Sequence, residues 1–255
     1  MGRATPVLSA PRFGRGASNS LLLAAPLLAG LAAWDAFAGD LPAVSDRWDV
    51  AIVALVLFPA TFLVVWLLLP VSTARGLLPV ALATGVLAAL LDLAGLEAGF
   101  NVTKVVAFTL FGFWFVQMLE ALSWVVLVAA AIPLADIASV YRGPTKVVVE
   151  EEPGVFERIA VSFSLPGEDA AARLGPPDVI FFALFLAAAA RFGLRTGATW
   201  VAMTAALSVT LVATYAFDLG GLPALPALSL GFLLPNADLI WRALREREAT
   251  AAGRS

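Results

Sequence analysis

Histidine and cysteine are both absent from the 255-residue sequence. Without cysteine the chain has no disulfide, no thiolate nucleophile and no thiolate ligand for a metal. Without histidine it has neither a Ser–His dyad nor the zinc site of His-Glu-x-x-His metalloproteases. Carboxylates, hydroxyls, arginines and two lysines, Lys104 and Lys146, remain for acid–base chemistry. If the protein is an enzyme, we therefore expect carboxylates to do the chemistry, with no metal and no cofactor.

Charge is scarce as well. Charged residues make up 14% of the chain and hydrophobic residues 61%, with a mean hydropathy of +0.92, whereas soluble domains average about 25% and 45–50%. This composition predicts a multi-pass integral membrane protein in contact with the lipid bilayer. The long apolar runs favour helices over the alternating strands of a barrel. The net charge of −3 and the lack of a basic cluster predict no nucleic-acid partner. The oligomeric state is not predicted.

The apolar runs predict an all-α bundle of about eight (eight or nine) transmembrane helices. One run, from 100 to 141, is about twice the length that a bilayer requires, so we divide it near Glu120. A small-residue motif at 36–38 resembles a signal cleavage site, but a retained first helix is the favoured interpretation. The eight predicted spans are 21–38, 51–69, 78–98, 100–120, 120–141, 178–192, 199–217 and 223–241.

The polar segments divide the chain into parts. Residues 1–19 are predicted to be a disordered tail and 242–255 a C-terminal tail. Between them lies a single transmembrane domain, 20–241, made of N-terminal helices (20–141), a polar loop (142–177) and a three-helix part (178–241). Within the loop, Pro153-Gly154 suits a type II turn between β-branched flanks, which predicts a short β-hairpin. A solvated acidic loop is the open alternative.

Each acid at bilayer depth is a functional candidate, because its insertion costs about 2.5–3.5 kcal/mol. Taken alone, such an acid more often reaches the interface from a helix end or bonds to a neighbouring helix. The candidates are Asp35, Asp92, Glu120, Asp136, Asp178, Asp218 and Asp238.

Helix direction separates two of these acids from the rest. Asp136 lies roughly 7–8 Å before the end of its predicted helix at a rise of 1.5 Å per residue, and Asp178 begins the next. Because only the loop 142–177 joins those helices, both acids approach the same membrane face. Two further helices cross and return, bringing 223–226 to that face. Asp218 lies on the same side and is the main competitor, whereas Asp238 lies on the opposite side.

A pair of carboxylates in a medium of low dielectric constant cannot readily ionise twice, so the two groups share a proton. One can then act as general base on a water molecule while the other protonates a scissile carbonyl, as in aspartic proteases. This chemistry requires neither a metal nor histidine.

Three segments resemble the presenilin and signal peptide peptidase family of intramembrane aspartyl proteases, most of all its prokaryotic presenilin-like members. Ala135-Asp136-Ile-Ala-Ser-Val-Tyr-Arg is similar to the family's Tyr-Asp segment and following Ser-Val-Tyr-Arg. Leu174-Gly-Pro-Pro-Asp stands in place of Gly-x-Gly-Asp, and Gly221-Leu-Pro-Ala-Leu-Pro contains the family's Pro-Ala-Leu-Pro. The likeness covers 120–241. Ala135 replaces the family's tyrosine, and Pro177 replaces a glycine that permits close helix approach. The family has nine helices.

The resemblance implies that Asp136 and Asp178 are the catalytic pair. It also implies that strands of the loop pair with an unwound segment of the substrate. The implied partners are transmembrane proteins or peptides, including remnant signal peptides, and the implied location is the cell membrane of a prokaryote. The implied substrate-contacting residues are Gly175, Pro223, Ala224, Leu225 and Pro226.

Two questions stay open at the level of sequence. The family has its catalytic face in the cytoplasm, whereas the distribution of arginines over eight helices favours the opposite orientation. A catalytically inactive relative that binds membrane segments, and a proton- or cation-coupled transporter, are the alternative functions.

Overall fold

The structure, a computed structural model, describes residues 15–142, 153–168, 170–219 and 222–252. These residues form a mostly helical protein with one small sheet. The N-terminal part contains α1 (Arg15–Phe37), α2 (Asp46–Ile52), α3 (Phe58–Leu68), α4 (Leu77–Leu93), α5 (Glu97–Met118) and α6 (Leu122–Arg142). The C-terminal part contains α7 (Pro153–Ile159), β1 (Val161–Ser164), β2 (Ala171–Leu174), α8 (Pro176–Arg191), α9 (Thr196–Ala216), α10 (Leu225–Leu233) and α11 (Ala237–Ala252).

Five helical segments are long and apolar enough to cross a membrane, by length and composition: Asn19–Asp40, Asp46–Thr73, Glu97–Met118, Leu122–Ser139 and Thr196–Ala216. The second of these is continuous because a π-helical turn, Val53–Leu57, joins α2 to α3. The prediction of a mostly helical protein with several helices of membrane-spanning length and apolarity is therefore confirmed. Eight crossings would also require α4, α8 and α10, which have 17, 16 and 9 residues.

Several predicted boundaries can be compared directly with the structure. The division near Glu120 is confirmed, since α5 ends at Met118 and Leu119 is extended. Helix α1 begins at Arg15, inside the predicted tail 1–19; residues 1–14 lie outside the described part. The last predicted helix, 223–241, is interrupted by a 3₁₀ turn at Leu234–Asn236. Pro235 explains the interruption, because proline lacks the N–H that a continuing helix needs.

A hairpin is present in the loop, but the predicted position is wrong. Strands β1 and β2 pair antiparallel, with Val161 opposite Leu174. Pro153 begins α7 instead of a turn, which agrees with the preference of proline for the first turn of a helix. Gly167, at φ +69°, lies in the actual connection, where a Cβ would come 2.3 Å from the backbone nitrogen of Ala43. The predicted flank 147–149 lies outside the described residues.

Helix α8 is at the centre of the bundle and packs against α3, α5, α6, α9 and α10. Val179 and every residue from 182 to 189 are almost fully buried. Phe182 stacks on Phe62 with ring centroids 4.0 Å apart. Gly112 lets α5 approach α8 closely, since a Cβ there would lie 2.3 Å from the carbonyl oxygen of Ile180. Small residues at such crossings allow the van der Waals contact on which membrane helices depend.

The molecule has two ends, which the contacts between helix termini define. At the end that carries the hairpin, called here the hairpin end, Trp34 near the end of α1 donates to the carbonyl of Ser164 at 3.0 Å. Asp92 near the end of α4 forms an ion pair with Arg158 at 2.8 Å. At the opposite, distal end, Gln117 donates to the carbonyls of Ser72 and Ala74. Successive long helices therefore alternate in direction between these ends.

Candidate active site

Asp136 lies near the end of α6, at the hairpin end of the bundle. Its Oδ2 atom accepts a hydrogen bond of 3.1 Å from the backbone N–H of Leu225. Leu225 is the first residue of α10, so its N–H has no partner within that helix. The partial positive charge at a helix N-terminus also favours a nearby carboxylate. The start of α10 is thus a suitable partner for Asp136.

Asp178 is the third residue of α8. Its Oδ2 atom accepts the N–H of Gly175 at 3.1 Å, and its own N–H donates to the carbonyl of Gly175 at 3.1 Å. The two residues between them, Pro176 and Pro177, have no N–H to leave unsatisfied. Reciprocal bonds of this kind are a common way to begin a helix, so the position of Asp178 has a local structural explanation as well as a functional one.

The structure brings the two acids and the proline-rich segment together. Helices α6, α8 and α10 pack against one another, and the carboxylates of Asp136 and Asp178 are close enough for an electrostatic interaction. Both side chains are partly buried. The predicted convergence of Asp136, Asp178 and the start of α10 at one end is confirmed. The catalytic and substrate-binding roles stay predictions.

The described part of the proline-rich segment contacts Asp136 through the N–H of Leu225. Pro223 and Ala224 are partly buried, Leu225 is buried, and Pro226 occupies the second position of α10. Gly221 lies outside the described residues.

Pro177 is exposed at the second position of α8. Gly175 has φ −64°, a conformation that any residue can adopt. Gly112 of α5 allows the close approach of α5 to α8. The replacement by Pro177 is therefore compatible with the packing of α8.

No family model matches the chain, and no curated protein matches it. The resemblance thus rests on the three segments and on their convergence in space.

Most of the competing acids have partners of their own. Asp35 accepts a hydrogen bond from the hydroxyl of Ser164 at 2.6 Å, Asp92 pairs with Arg158, and Asp238 pairs with Arg195. Asp218 lies in the turn that follows α9, at φ +50°, and is exposed. Within the described part of the chain, no cluster of three or more carboxylates could hold a metal ion.

A cavity with a volume of about 710 Å³ opens between α2 and the end of α9. Its lining includes Arg47, Tyr215 and Asp218, and none of its lining residues belongs to the three convergent segments. Cavity volume therefore does not identify the candidate site.

Residues that the sequence did not single out connect the hairpin to the N-terminal helices. Asn101 bonds to the backbone of Ser162 in β1. Lys104, counted above among acid–base groups, donates to the carbonyls of Arg158 and Ala160 at 3.0 and 2.5 Å, at the end of α7. Their spacing of three residues on α5 puts them on one helix face, which is the only signal that the sequence offers for this contact.

Proposed function

We propose that the protein is an intramembrane aspartyl protease that hydrolyses peptide bonds of transmembrane segments or remnant signal peptides. The observation that carries the proposal is the hydrogen bond from Leu225 to Asp136. It joins the Pro-Ala-Leu-Pro segment to the carboxylate that interacts with Asp178, so that all three matched segments meet at one point.

The proposed reaction uses one shared proton. The ionised carboxylate removes a proton from a water molecule, whose oxygen attacks the scissile carbonyl carbon while the protonated carboxyl donates to the carbonyl oxygen. Collapse of the tetrahedral intermediate breaks the C–N bond, and the leaving nitrogen takes up a proton from the pair. In both acids Oδ2 accepts a backbone N–H, which leaves Oδ1 for proton transfer.

The proposed membrane arrangement has eight crossings, made by α1, the continuous α2–α3 rod, α4, α5, α6, α8, α9 and α10. The alternating contacts at the hairpin and distal ends support it. Helix α8 is shorter than the about 20 residues that a bilayer core requires, but it is enclosed by other helices and needs no lipid match. Helix α7 and the hairpin would lie outside the bilayer at one face, and α11 at the other. The proposed location is a prokaryotic cell membrane.

The proposed substrate mode is strand addition to the hairpin. An extended peptide gains main-chain hydrogen bonds at a sheet edge, which offsets the loss of its helical bonds. Strand β2 ends at Leu174, immediately before Gly175 and four residues before Asp178. A segment paired there would enter the site already unwound.

A cleavage assay tests the proposal. Detergent-purified protein is incubated with a labelled transmembrane peptide, beside Asp136→Asn and Asp178→Asn variants. We expect both to lower the rate by about 10³-fold or more, since the pair acts as a unit. Asp218→Asn, which changes an acid at the same end, is the matched control and should retain cleavage.

The other outcomes of this assay are also informative. If cleavage survives in either asparagine variant, that acid is not catalytic. If the parent protein binds the peptide without cutting it, and binds no aspartyl-protease transition-state analogue, the inactive-relative alternative is correct. If the protein binds the analogue but does not cleave the peptide, the site is competent and the peptide is not a substrate.

A further inference from the structure

The outer edge of β1 is occupied by side chains of the N-terminal helices. The Asn101 amide donates to the carbonyl of Ser162 at 2.6 Å and accepts the N–H of Ser162 at 2.9 Å. One side chain thereby makes both bonds that the backbone of a neighbouring strand would make. Trp34 donates to the carbonyl of Ser164, the next outward-facing residue, at 3.0 Å. Two helices therefore close this edge.

The outer edge of β2 differs. Ser162 is opposite Arg173 and Ser164 is opposite Ala171. In an antiparallel pair, directly opposed residues either bond to each other or both direct their groups away. Since Ser162 and Ser164 bond outward, Arg173 and Ala171 direct their N–H and C=O groups to the outer edge of β2. In the described part of the chain, no hydrogen bond reaches those groups.

The contacts that close β1 are buried. Asn101 and Lys104 are 8% and 6% exposed. A buried polar group costs free energy unless it is bonded, and both side chains obtain their bonds from the end of α7, from Ala160 and from β1. The ion pair between Asp92 and Arg158 adds a contact from α4 at the same end. The position of the hairpin is therefore coupled to α5.

We propose that Asn101 is a positioning residue for substrate: its amide closes the outer edge of β1 and fixes the hairpin on α5, which restricts an incoming extended segment to one edge and one register. The inference rests on the proposed protease function. Side chains of a strand alternate between two faces, so a register that preserves those faces can change only in steps of two residues. A fixed hairpin would thus fix the peptide bond presented to Asp136 and Asp178.

Cleavage kinetics and product masses give the first test. We expect Asn101→Ala to raise KM roughly tenfold, as for the loss of two neutral hydrogen bonds, and to leave kcat within about a factor of three. Mass spectrometry should detect additional products displaced from the parent cleavage site. Thr103→Ala is the matched control, because the Thr103 hydroxyl bonds only within α5, to the carbonyl of Gly99. A loss of kcat with one unchanged product would show a purely structural role and overturn the proposal.

A second test does not depend on cleavage. The absence of cysteine allows single-cysteine variants, Arg173→Cys on β2 and Ser162→Cys on β1, in the Asp178→Asn background. Each is oxidised with copper phenanthroline beside the same peptide carrying one cysteine at successive positions. We expect disulfides between Arg173→Cys and one peptide position, with weaker bonding two residues to either side, and none with Ser162→Cys. Adding Asn101→Ala should extend the pattern to further positions in steps of two residues.

The two tests separate the two proposals. Equal cross-linking to both strands, or a pattern unchanged by Asn101→Ala, would overturn the role of Asn101 while leaving cleavage by the aspartate pair intact. The expected cross-linking pattern in a chain whose parent does not cleave would overturn the protease function and retain Asn101 as a residue that positions a bound segment.

Discussion

Helices α6 and α8 each carry one of the two carboxylates, but the bundle surrounds them to different extents. On α8, Val179 and residues 182–189 are almost fully buried. On α6, among the side chains of residues 122–139, the buried ones are Leu122, Val125 and Ala129, all in the first half of the helix. Toward Asp136, Leu134 is 71% and Ile137 is 42% exposed.

This difference indicates that the two acids are positioned by different forces. Asp178 extends from a helix whose many close contacts each contribute a small dispersion energy that is large in sum, and its carboxylate bonds locally to Gly175. Asp136 is on a helix half that leaves the core, and its carboxylate bonds to Leu225, 89 residues away. The distance between the carboxylates should therefore depend more on the contact between α6 and α10 than on the core.

Among the variants that test the difference between α6 and α8, removal of the hydrogen-bond donor to Asp136 should have the largest effect on cleavage. Leu225→Pro eliminates the N–H at a helix position that accepts proline. A hydrogen bond to a charged group contributes about 1.5–3 kcal/mol, so we expect kcat/KM to fall about 10- to 100-fold. Leu225→Ala keeps the donor but removes the buried side chain. Equal losses in the two variants would mean that packing, and not the hydrogen bond, positions Asp136.

A smaller effect should follow from separating α8 from α5. Gly112→Ala puts a Cβ against Ile180, two residues beyond Asp178, and overpacking of this kind costs about 1–3 kcal/mol. We expect lower free energy of unfolding in a detergent titration and a fall of about tenfold in cleavage. Gly85→Ala in α4, where a Cβ meets nothing within 4 Å, should be neutral or stabilising. A stable, fully active Gly112→Ala variant would contradict the inference that the tight packing of α8 positions Asp178.

The sequence was sufficient to predict features that depend on long apolar runs and on helix direction. The change of helix near Glu120 follows from length, and the placement of Asp136 and the start of α10 at one end follows from helix direction. The hairpin position was missed because Pro153-Gly154 carries the same local signal in a turn and at a helix start. The close contact of Gly167 with Ala43, which lies far away in the chain, has no local sequence signal.

The hydrogen-bond partners of single polar residues could not be predicted from the sequence either. Asn101 in an apolar helix has no local pattern that indicates a strand as its partner. From composition alone, Lys104 is a candidate for acid–base chemistry. In the structure, its ammonium group donates hydrogen bonds to two backbone carbonyls. Both contacts join segments more than 50 residues apart, and only the three-dimensional arrangement shows them.

Pro177 gives a weaker test of α8. Because the residue is exposed in the first turn, Pro177→Gly should alter cleavage by less than about threefold and destabilise the fold by about 0.4–1 kcal/mol through the greater entropy of the unfolded chain. Pro176→Gly, its neighbour in the same turn, is the control for stability. A rise of more than tenfold in kcat/KM for Pro177→Gly alone would show that the proline ring obstructs substrate.

The smallest effect should come from the distal end, where Arg195 forms two hydrogen bonds with Asp238, at 2.5 and 2.8 Å. Its guanidinium lowers the pKa of Asp238 from 3.8 to about 2. A lowered pKa means that the pairing contributes fully above the ordinary value and is lost only as pH falls toward 2. Between about pH 4 and 8 the distal pair therefore keeps one charge state. We expect the pH–rate profile of Asp238→Asn to superimpose on that of the parent protein over this range. A displaced profile would mean that the distal end acts on the carboxylates through α8, in which case the packing that fixes Asp178 would also transmit changes to it.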